Sequence, residues 1–127
     1  MSEPATNSTT LYSKKDGKQL WSVPVWSPWL YLSHDGRTVV TAYQGMNLVP
    51  TDSRMHMEVL RFYRDGKLLR TVRLADLYRR RADMMRTVSH YAWVNTINVT
   101  PADLLQIELV SGNYKRFAMA TGKEVAQ

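Results

Sequence analysis

The chain has 127 residues, of which 44% are hydrophobic, and this composition fits one globular domain and argues against disorder. It contains no cysteine, which excludes a disulfide framework, a thiol nucleophile and a thiolate metal site. The net charge is +6, and no apolar run approaches the roughly 18 residues of a membrane span.

The first ten residues are small and polar, so residues 1–10 are predicted to be a flexible leader and residues 11–127 a single β-rich domain. The start has no apolar core of the kind that a signal peptide needs. The cytoplasm is therefore the default location. A periplasmic or secreted chain whose signal peptide had been removed would look the same.

Paired apolar and aromatic runs joined by glycine-containing turns recur along the chain and predict antiparallel hairpins. Further strands are predicted at residues 89–94 and 97–100. The polar residues 44–54, with Gly45 and Pro50, are predicted to be a loop. The four hairpins are residues 11–25 across Asp16-Gly17, 29–43 across Asp35-Gly36, 59–77 across Asp65-Gly66 and 104–119 across Ser111-Gly112-Asn113.

The hairpin across Asp65-Gly66 has two candidate registers. A two-residue turn pairs Arg61 with Arg70, and like charges directly opposite each other are destabilising. A three-residue loop with a bulge at Gly66 shifts the pairing by one, so that Arg61 faces Leu69. The bulged register is favoured for this reason. The alternative is that an anion or an acidic partner holds the two arginines apart.

After this hairpin the spacing of apolar residues changes from alternation to a helical period. The residues that fall on one face of a helix are Leu77, Tyr78, Met84 and Met85, and those on the opposite face are Arg79, Arg80 and Asp83. One short amphipathic helix is therefore predicted near residues 75–86.

Two stretches resemble a repeat of known proteins. Residues 32–40 read Leu-Ser-His-Asp-Gly-Arg-Thr-Val-Val. They resemble the WD40-like β-propeller repeat of bacterial envelope proteins, usually written L-S-P-D-G-R-x-L-V, with His34 in place of the usual proline. Residues 11–21 are similar to the outer hairpin of the same kind of blade.

The spacing of the Gly-Lys steps agrees with this resemblance. Gly17, Gly66 and Gly122 lie 49 and 56 residues apart, and self-similarity near this period is typical of propeller blades. About two and a half blades fit the chain, whereas a closed propeller needs at least about four. The resemblance therefore implies an all-β fold of mainly antiparallel hairpins, blade-like or sandwich-like. It is either self-contained, which we favour, or part of a larger assembly.

No combination of residues predicts a catalytic or metal site. Met55-His56-Met57 has side chains that suit Cu(I), but on a strand the two methionines point away from the histidine, so core methionines beside an edge histidine are favoured. Ser89-His90 would likewise point to opposite sides of a strand. No phosphate-binding loop, dinucleotide fingerprint or zinc pattern is present. We therefore expect no enzyme activity, no metal and no cofactor.

Residues 61–86 hold nine Lys/Arg against three Asp, a net +6 that equals the charge of the whole chain. Such a cluster is either a solvated face or a contact surface for an acidic protein, for nucleic acid or for an anionic membrane. Few aromatic residues alternate with the basic ones, as base stacking would require, so a protein is the favoured partner. The candidate binding residues are Arg61, Arg64, Arg70, Arg73, Arg79, Arg80, Arg81 and Tyr78.

The sequence thus predicts a non-enzymatic protein-binding or structural module, which contacts another protein or a second copy of itself. One concrete version is an inhibitor or immunity-type binder. The alternative is binding of nucleic acid or an anionic surface through residues 61–86. The residues assigned to structural turns are Asp16, Gly17, Asp35, Gly36, Asp65, Gly66 and Gly122.

Overall fold

The computed structural model describes residues 9–12, 16–23, 27 and 29–125. In these parts of the chain, short β-branched and aromatic runs form strands, with one helical turn and one 3₁₀ turn between them. The elements are β1 (Thr9–Tyr12), β2 (Gln19–Val23), β3 (Leu30–Leu32), β4 (Thr38–Ala42), β5 (Leu48–Pro50), β6 (Glu58–Arg64), β7 (Lys67–Arg73), α1 (Leu74–Leu77), the 3₁₀ turn Arg81–Asp83, β8 (Met85–Arg86), β9 (His90–Ala92), β10 (Thr96–Val99), β11 (Leu104–Glu108), β12 (Tyr114–Ala118) and β13 (Glu124–Val125).

The strands form four antiparallel sheets, and none of these sheets closes into a propeller within the described residues. Two sheets have four strands each, in the orders β3-β4-β6-β7 and β10-β11-β12-β13. A three-stranded sheet has the order β5-β9-β8, and β1 pairs with β2. The prediction of an all-β fold built from antiparallel hairpins is therefore confirmed.

The main core lies between the two four-stranded sheets. Phe62 on β6 and Phe117 on β12 point towards each other, and their ring centroids are 5.9 Å apart. Leu60 and Ile107 are buried in the same cluster. Each such side chain stabilises the fold by roughly 1.5–3 kcal/mol when it leaves water. The two large sheets therefore pack as a sandwich.

The β1–β2 hairpin packs on the other face of the β3-β4-β6-β7 sheet. Trp21 and Val23 of β2 contact Val39 of β4 and Tyr63 of β6 in a second, smaller core. The indole Nε1 of Trp21 donates a 2.9 Å hydrogen bond to the carbonyl oxygen of Gly36. Because both faces of this sheet are covered there, its central strands are apolar on both sides.

The three-stranded sheet joins the main core through Val49 and Trp93, which are both fully buried. The indole Nε1 of Trp93 donates a 2.6 Å hydrogen bond to the carbonyl oxygen of Met46. The backbone N–H of Trp93 bonds the carbonyl oxygen of Asn47 at 3.0 Å. Trp93 therefore fastens the chain after β9 to the loop before β5.

The turn of the β6–β7 hairpin is tighter than predicted. Asp65 and Gly66 have φ angles of 51° and 84°, and a two-residue type I′ turn requires positive φ at both of these positions. Arg64 pairs with Lys67 directly across the turn. The predicted bulge at Gly66 is therefore wrong.

The irregularity lies further along the same hairpin. The register shifts between Phe62 and Tyr63, so that Arg61 faces Thr71 and Arg70 faces Phe62. This shift separates the two arginines that a regular two-residue hairpin would place opposite each other. The like-charge repulsion is thus avoided by a bulge at a different position.

The helix predicted near residues 75–86 is divided into two single turns. Each turn starts just after the arginine of an Arg-x-Ala-Asp sequence. The aspartate of that sequence accepts a hydrogen bond from the backbone N–H of the arginine, at 2.8 Å for Asp76 and 3.2 Å for Asp83. Between the turns Tyr78 is extended, with a φ of −134°, and its side chain is buried. A continuous helix would require helical φ and ψ at Tyr78, so the extended backbone there ends the first turn.

Two boundaries also differ from the prediction. Thr9 and Thr10, which were assigned to the leader, belong to β1, and residues 1–8 lie outside the described residues. β5 lies within the predicted loop at residues 44–54, where it pairs with β9. Composition could not reveal β5, because its hydrogen-bond partner is about 40 residues away in sequence.

Candidate interaction surface

The arginines of β6 are bonded to neighbours on the same sheet and its turns. Arg61 Nε donates to a carboxylate oxygen of Glu58 at 3.0 Å. Arg64 donates to the Thr38 hydroxyl at 2.7 Å and to Asp35 at 3.0 Å. Cross-strand pairing places Thr38 directly opposite Arg64, so the register itself supplies one of these partners.

The arginines of β7 reach outside their own sheet. The guanidinium of Arg70 lies 5.4 Å from the ring centroid of Phe117, and its Nη1 donates to the carbonyl oxygen of Gly122 at 3.1 Å. Arg73 Nη1 donates to the carbonyl oxygen of His56 at 3.0 Å. Four of the eight predicted binding residues therefore have partners within the fold.

Asp35 joins the turns of two neighbouring hairpins. Its carboxylate accepts hydrogen bonds from the Ser33 hydroxyl at 2.5 Å, the Arg37 backbone N–H at 3.0 Å and the Arg64 guanidinium at 3.0 Å. These bonds, the one from Ser33 first, hold the pKa of Asp35 well below its usual range. Arg37 also donates two hydrogen bonds to Asp65, which lowers the pKa of that carboxyl.

Residues 79–83, which we call the arginine loop, face solvent. Arg80 donates to Asp83 at 3.1 Å while 76% of its side chain stays exposed. Arg81 donates to the carbonyl oxygen of Thr51, which fixes the loop to the turn after β5. Arg79 is exposed and lines an open groove with Arg80 and Asp83. The described residues offer the Arg79 guanidinium no hydrogen-bond or ion-pair partner.

Tyr78 does not belong to this surface. Its side chain is buried, and its hydroxyl donates to the carbonyl oxygen of Trp93 at 2.5 Å and accepts the backbone N–H of Val110 at 3.1 Å. Burial raises the pKa of the Tyr78 phenol. Tyr78 therefore cannot act as the contact residue that the sequence suggested. It anchors the start of the arginine loop to the core.

The β8–β9 hairpin follows the arginine loop and presents apolar side chains to water. Val88 at its turn is 100% exposed and Met85 is 56% exposed. The guanidinium of Arg86 covers the ring of Tyr91, at 5.4 Å from the centroid. The helical pattern had placed Met85 on the buried face, which is wrong because Met85 is in a strand. Apolar residues within a run of arginines were the signal that could have identified this exposed tip.

The histidine-containing motifs behave differently from each other. The Ser89 hydroxyl lies 2.7 Å from His90 Nδ1, so the expectation that they point apart is wrong, because Ser89 is in the turn before β9. Met55 and Met57 pack against the main core, as expected, and His56 is exposed. In the described parts of the chain, no three His, Asp or Glu side chains cluster so as to hold a metal ion.

Gly122 shows why one of the predicted turns needs glycine. Its φ is +73°, and a Cβ atom at this position would lie 2.8 Å from the Cβ of Arg70. The turn at Asp16 is closed differently, by a 2.9 Å hydrogen bond from the Lys18 backbone to the Asp16 carboxylate. Gly17 and Gly36 also lie in turns with positive φ.

Comparison of the chain with protein-family models, with curated proteins and with solved structures finds no match. No helix among the described residues has the length and apolarity to cross a bilayer.

Proposed function

We propose that the protein is a non-enzymatic binding module that docks an acidic protein partner on the arginine loop. The observation that carries this proposal is the division of the basic stretch. The arginines of β6 and β7 have partners within the fold, whereas Arg79 and Arg80 project into solvent beside one carboxylate, that of Asp83. Among the described residues Arg79 has no partner and Arg80 has one, the exposed carboxylate of Asp83, and a surface with this excess of positive charge favours a partner of opposite charge.

The neighbouring β8–β9 hairpin supports a protein as that partner. A protein interface combines charged groups with apolar contact area, and exposed Val88 and Met85 follow the arginines directly in sequence. Binding of single-stranded nucleic acid would instead need exposed aromatic rings for base stacking. Tyr78 is buried and the ring of Tyr91 is covered by Arg86, so neither ring serves that purpose.

The sheets also support the likeness to propeller blades. In the β10-β11-β12-β13 sheet each strand pairs with the next one in sequence, which is the arrangement of a four-stranded blade. We therefore propose that the sheets of this chain are related to propeller blades, although the two large sheets pack as a sandwich. On this reading the sandwich is a rigid support, and the arginine loop at its surface selects the partner.

Capture experiments test the proposal. Immobilised protein is exposed to lysate and envelope fractions of the source cells at low and high salt, and bound proteins and nucleic acid are quantified. The double variant Arg79→Ser with Arg80→Ser is compared with Lys67→Ser with Lys123→Ser. Both variants remove two positive charges from exposed side chains, so they form a matched pair.

We expect one stoichiometric protein that wild type and the lysine variant retain equally and that the arginine variant loses. Equal retention by both variants would show that the arginine loop is not the docking surface. Capture of nucleic acid alone, with affinity that falls steeply as salt rises, would replace the proposal with phosphate binding.

A further inference from the structure

A row of four side chains crosses the β3-β4-β6-β7 sheet on the face away from the main core. The register places Leu30, Thr41, Arg61 and Thr71 side by side on the four strands. Cross-strand neighbours of this kind project from the same face of a sheet. Thr41 and Arg61, the middle pair of this row, therefore project side by side from the sheet.

A cavity of about 220 Å³ lies at this position. Sites for drug-sized ligands start at about 300 Å³, so the space suits a smaller molecule or a single side chain. The cavity is lined by Thr41, Ala42, Tyr43, Gln44, Glu58, Val59, Leu60 and Arg61.

Glu58 fixes the orientation of Arg61. Its carboxylate accepts the Nε–H at 3.0 Å, and this hydrogen bond, with a further contribution from the Tyr63 phenol, raises the pKa of the guanidinium. The side chain of Arg61 is still 41% exposed. Besides its contacts with Glu58 and Tyr63, the planar guanidinium keeps terminal N–H donors, and such donors match the oxygens of a carboxylate.

The charges around the cavity select among anions. Arg61 and Arg73 both act on Glu58 and lower the pKa of its carboxyl, so two cations surround one anion. Because Glu58 lies beside Arg61, it repels a doubly charged phosphate more strongly than a singly charged carboxylate. The partly buried Tyr43 contributes apolar surface to the same cavity.

We propose that this cavity binds the carboxylate group of a small monocarboxylic acid or of an acidic side chain. The Arg61 guanidinium donates hydrogen bonds to the carboxylate, the Thr41 hydroxyl donates another, and Tyr43 contacts the apolar part of the ligand. The site is independent of the arginine loop, because it shares no residue with it.

Titration of the wild-type protein, followed through backbone amide signals by NMR, tests the site directly. Benzoate is the probe, with benzyl alcohol as the uncharged control and inorganic phosphate as the anion control at equal ionic strength. We expect saturable shifts at Thr41, Tyr43 and Arg61 with benzoate, with a Kd on the order of 1 mM, and none with either control. Shifts of equal size with phosphate, or none with any carboxylate probe, would overturn the proposal.

A peptide with blocked ends and one internal Glu separates the two sources of the carboxylate. Shifts at the same three amides with the peptide, with a lower Kd than for benzoate, identify an acidic side chain as the ligand, and the reverse order of Kd values identifies a free acid.

Variants at two arginines test the assignment to Arg61. Arg61→Lys keeps the charge and removes the planar guanidinium, so we expect at least about tenfold weaker binding of benzoate. Arg79→Lys is the matched control and should bind as wild type does. If Arg61→Lys binds equally well, or if Arg79→Lys weakens binding as much, the assignment to Arg61 is wrong. If Arg61→Lys does not fold, the wild-type titration decides alone.

Discussion

The arginines before Tyr78 and those after it are alike in sequence and differ in what the fold does with them. On β6 and β7, strand pairing and sheet packing bring a hydrogen-bond acceptor to each guanidinium. In the arginine loop the backbone makes one short 3₁₀ turn, and Asp83 is the nearby carboxylate. Exposure therefore differs within one basic cluster: the Arg80 side chain is 76% exposed, against 41% for Arg61 and 21% for Arg64.

The largest effect on stability is expected at Phe117, whose ring lies under Arg70 of β7. Phe117→Ala removes the ring that contacts Phe62 and lies under Arg70, and the resulting cavity should lower the free energy of unfolding by about 3–5 kcal/mol. Urea denaturation measures this. Val88→Ala, at the exposed hairpin tip, should change it by less than about 0.5 kcal/mol. Similar losses for both variants would contradict the division between the two regions.

Tyr78, which lies between the arginines of β7 and the arginine loop, provides the second test. Tyr78→Phe leaves the backbone N–H of Val110 and the carbonyl oxygen of Trp93 without their shared hydroxyl, which should cost about 1–3 kcal/mol of unfolding free energy. Arg79→Ser, one position later, should cost less than about 0.5 kcal/mol. Thermal and urea unfolding of the two variants compare a buried residue with its exposed neighbour. If Tyr78→Phe leaves the free energy of unfolding unchanged, the Tyr78 hydroxyl is solvated in the native protein.

The turn network gives a smaller effect with a defined pH dependence. Asp35→Asn weakens its bonds to Ser33 and Arg64 and should cost about 1 kcal/mol at neutral pH. Because the native pKa of Asp35 is lowered, its stabilisation is complete above the unfolded value of about 3.9 and is lost as pH falls towards the native value. Urea unfolding between about pH 7 and pH 3 should therefore show the gap between wild type and Asp35→Asn closing in acid. A gap that widens in acid would contradict the assigned direction.

The smallest effect on stability is expected in the arginine loop. The double variant Arg79→Ser with Arg80→Ser should keep its unfolding free energy within about 0.5 kcal/mol of wild type while it loses the captured partner. Arg64→Ser, which removes bonds to Asp35 and Thr38, should cost about 1 kcal/mol or more and leave partner capture intact. If Arg64→Ser loses the partner and the double variant keeps it, the docking surface is on the sheet and not in the arginine loop.

Much of the strand pattern could be predicted from local sequence. The Asp-Gly steps indicated the β1–β2, β3–β4 and β6–β7 hairpins, because a turn depends on the φ preferences of two adjacent residues. The bulge was predicted at Gly66 and lies between Phe62 and Tyr63, since its position depends on how the sheet packs as well as on the turn. The single helix predicted near residues 75–86 is instead two short turns, because the backbone is extended at Tyr78, and the spacing of apolar residues does not record that change.

The partners of the arginines could not be predicted in the same way. Arg70 meets Gly122 and Phe117 across the sandwich, and Arg64 meets Asp35 across two turns. These contacts join residues about 30 to 50 positions apart, and no local pattern records them. The sequence therefore marked all of residues 61–86 as one basic surface.

By itself the sequence determined an all-β chain, the places of its main turns and the concentration of charge at residues 61–86, because these depend on composition and on neighbouring residues. Tertiary structure decided which of those charges are paired, that Tyr78 is buried and that Arg61 lines a cavity on the sheet. These properties depend on which strands become neighbours. Packing of two sheets through one shared core fixes that choice.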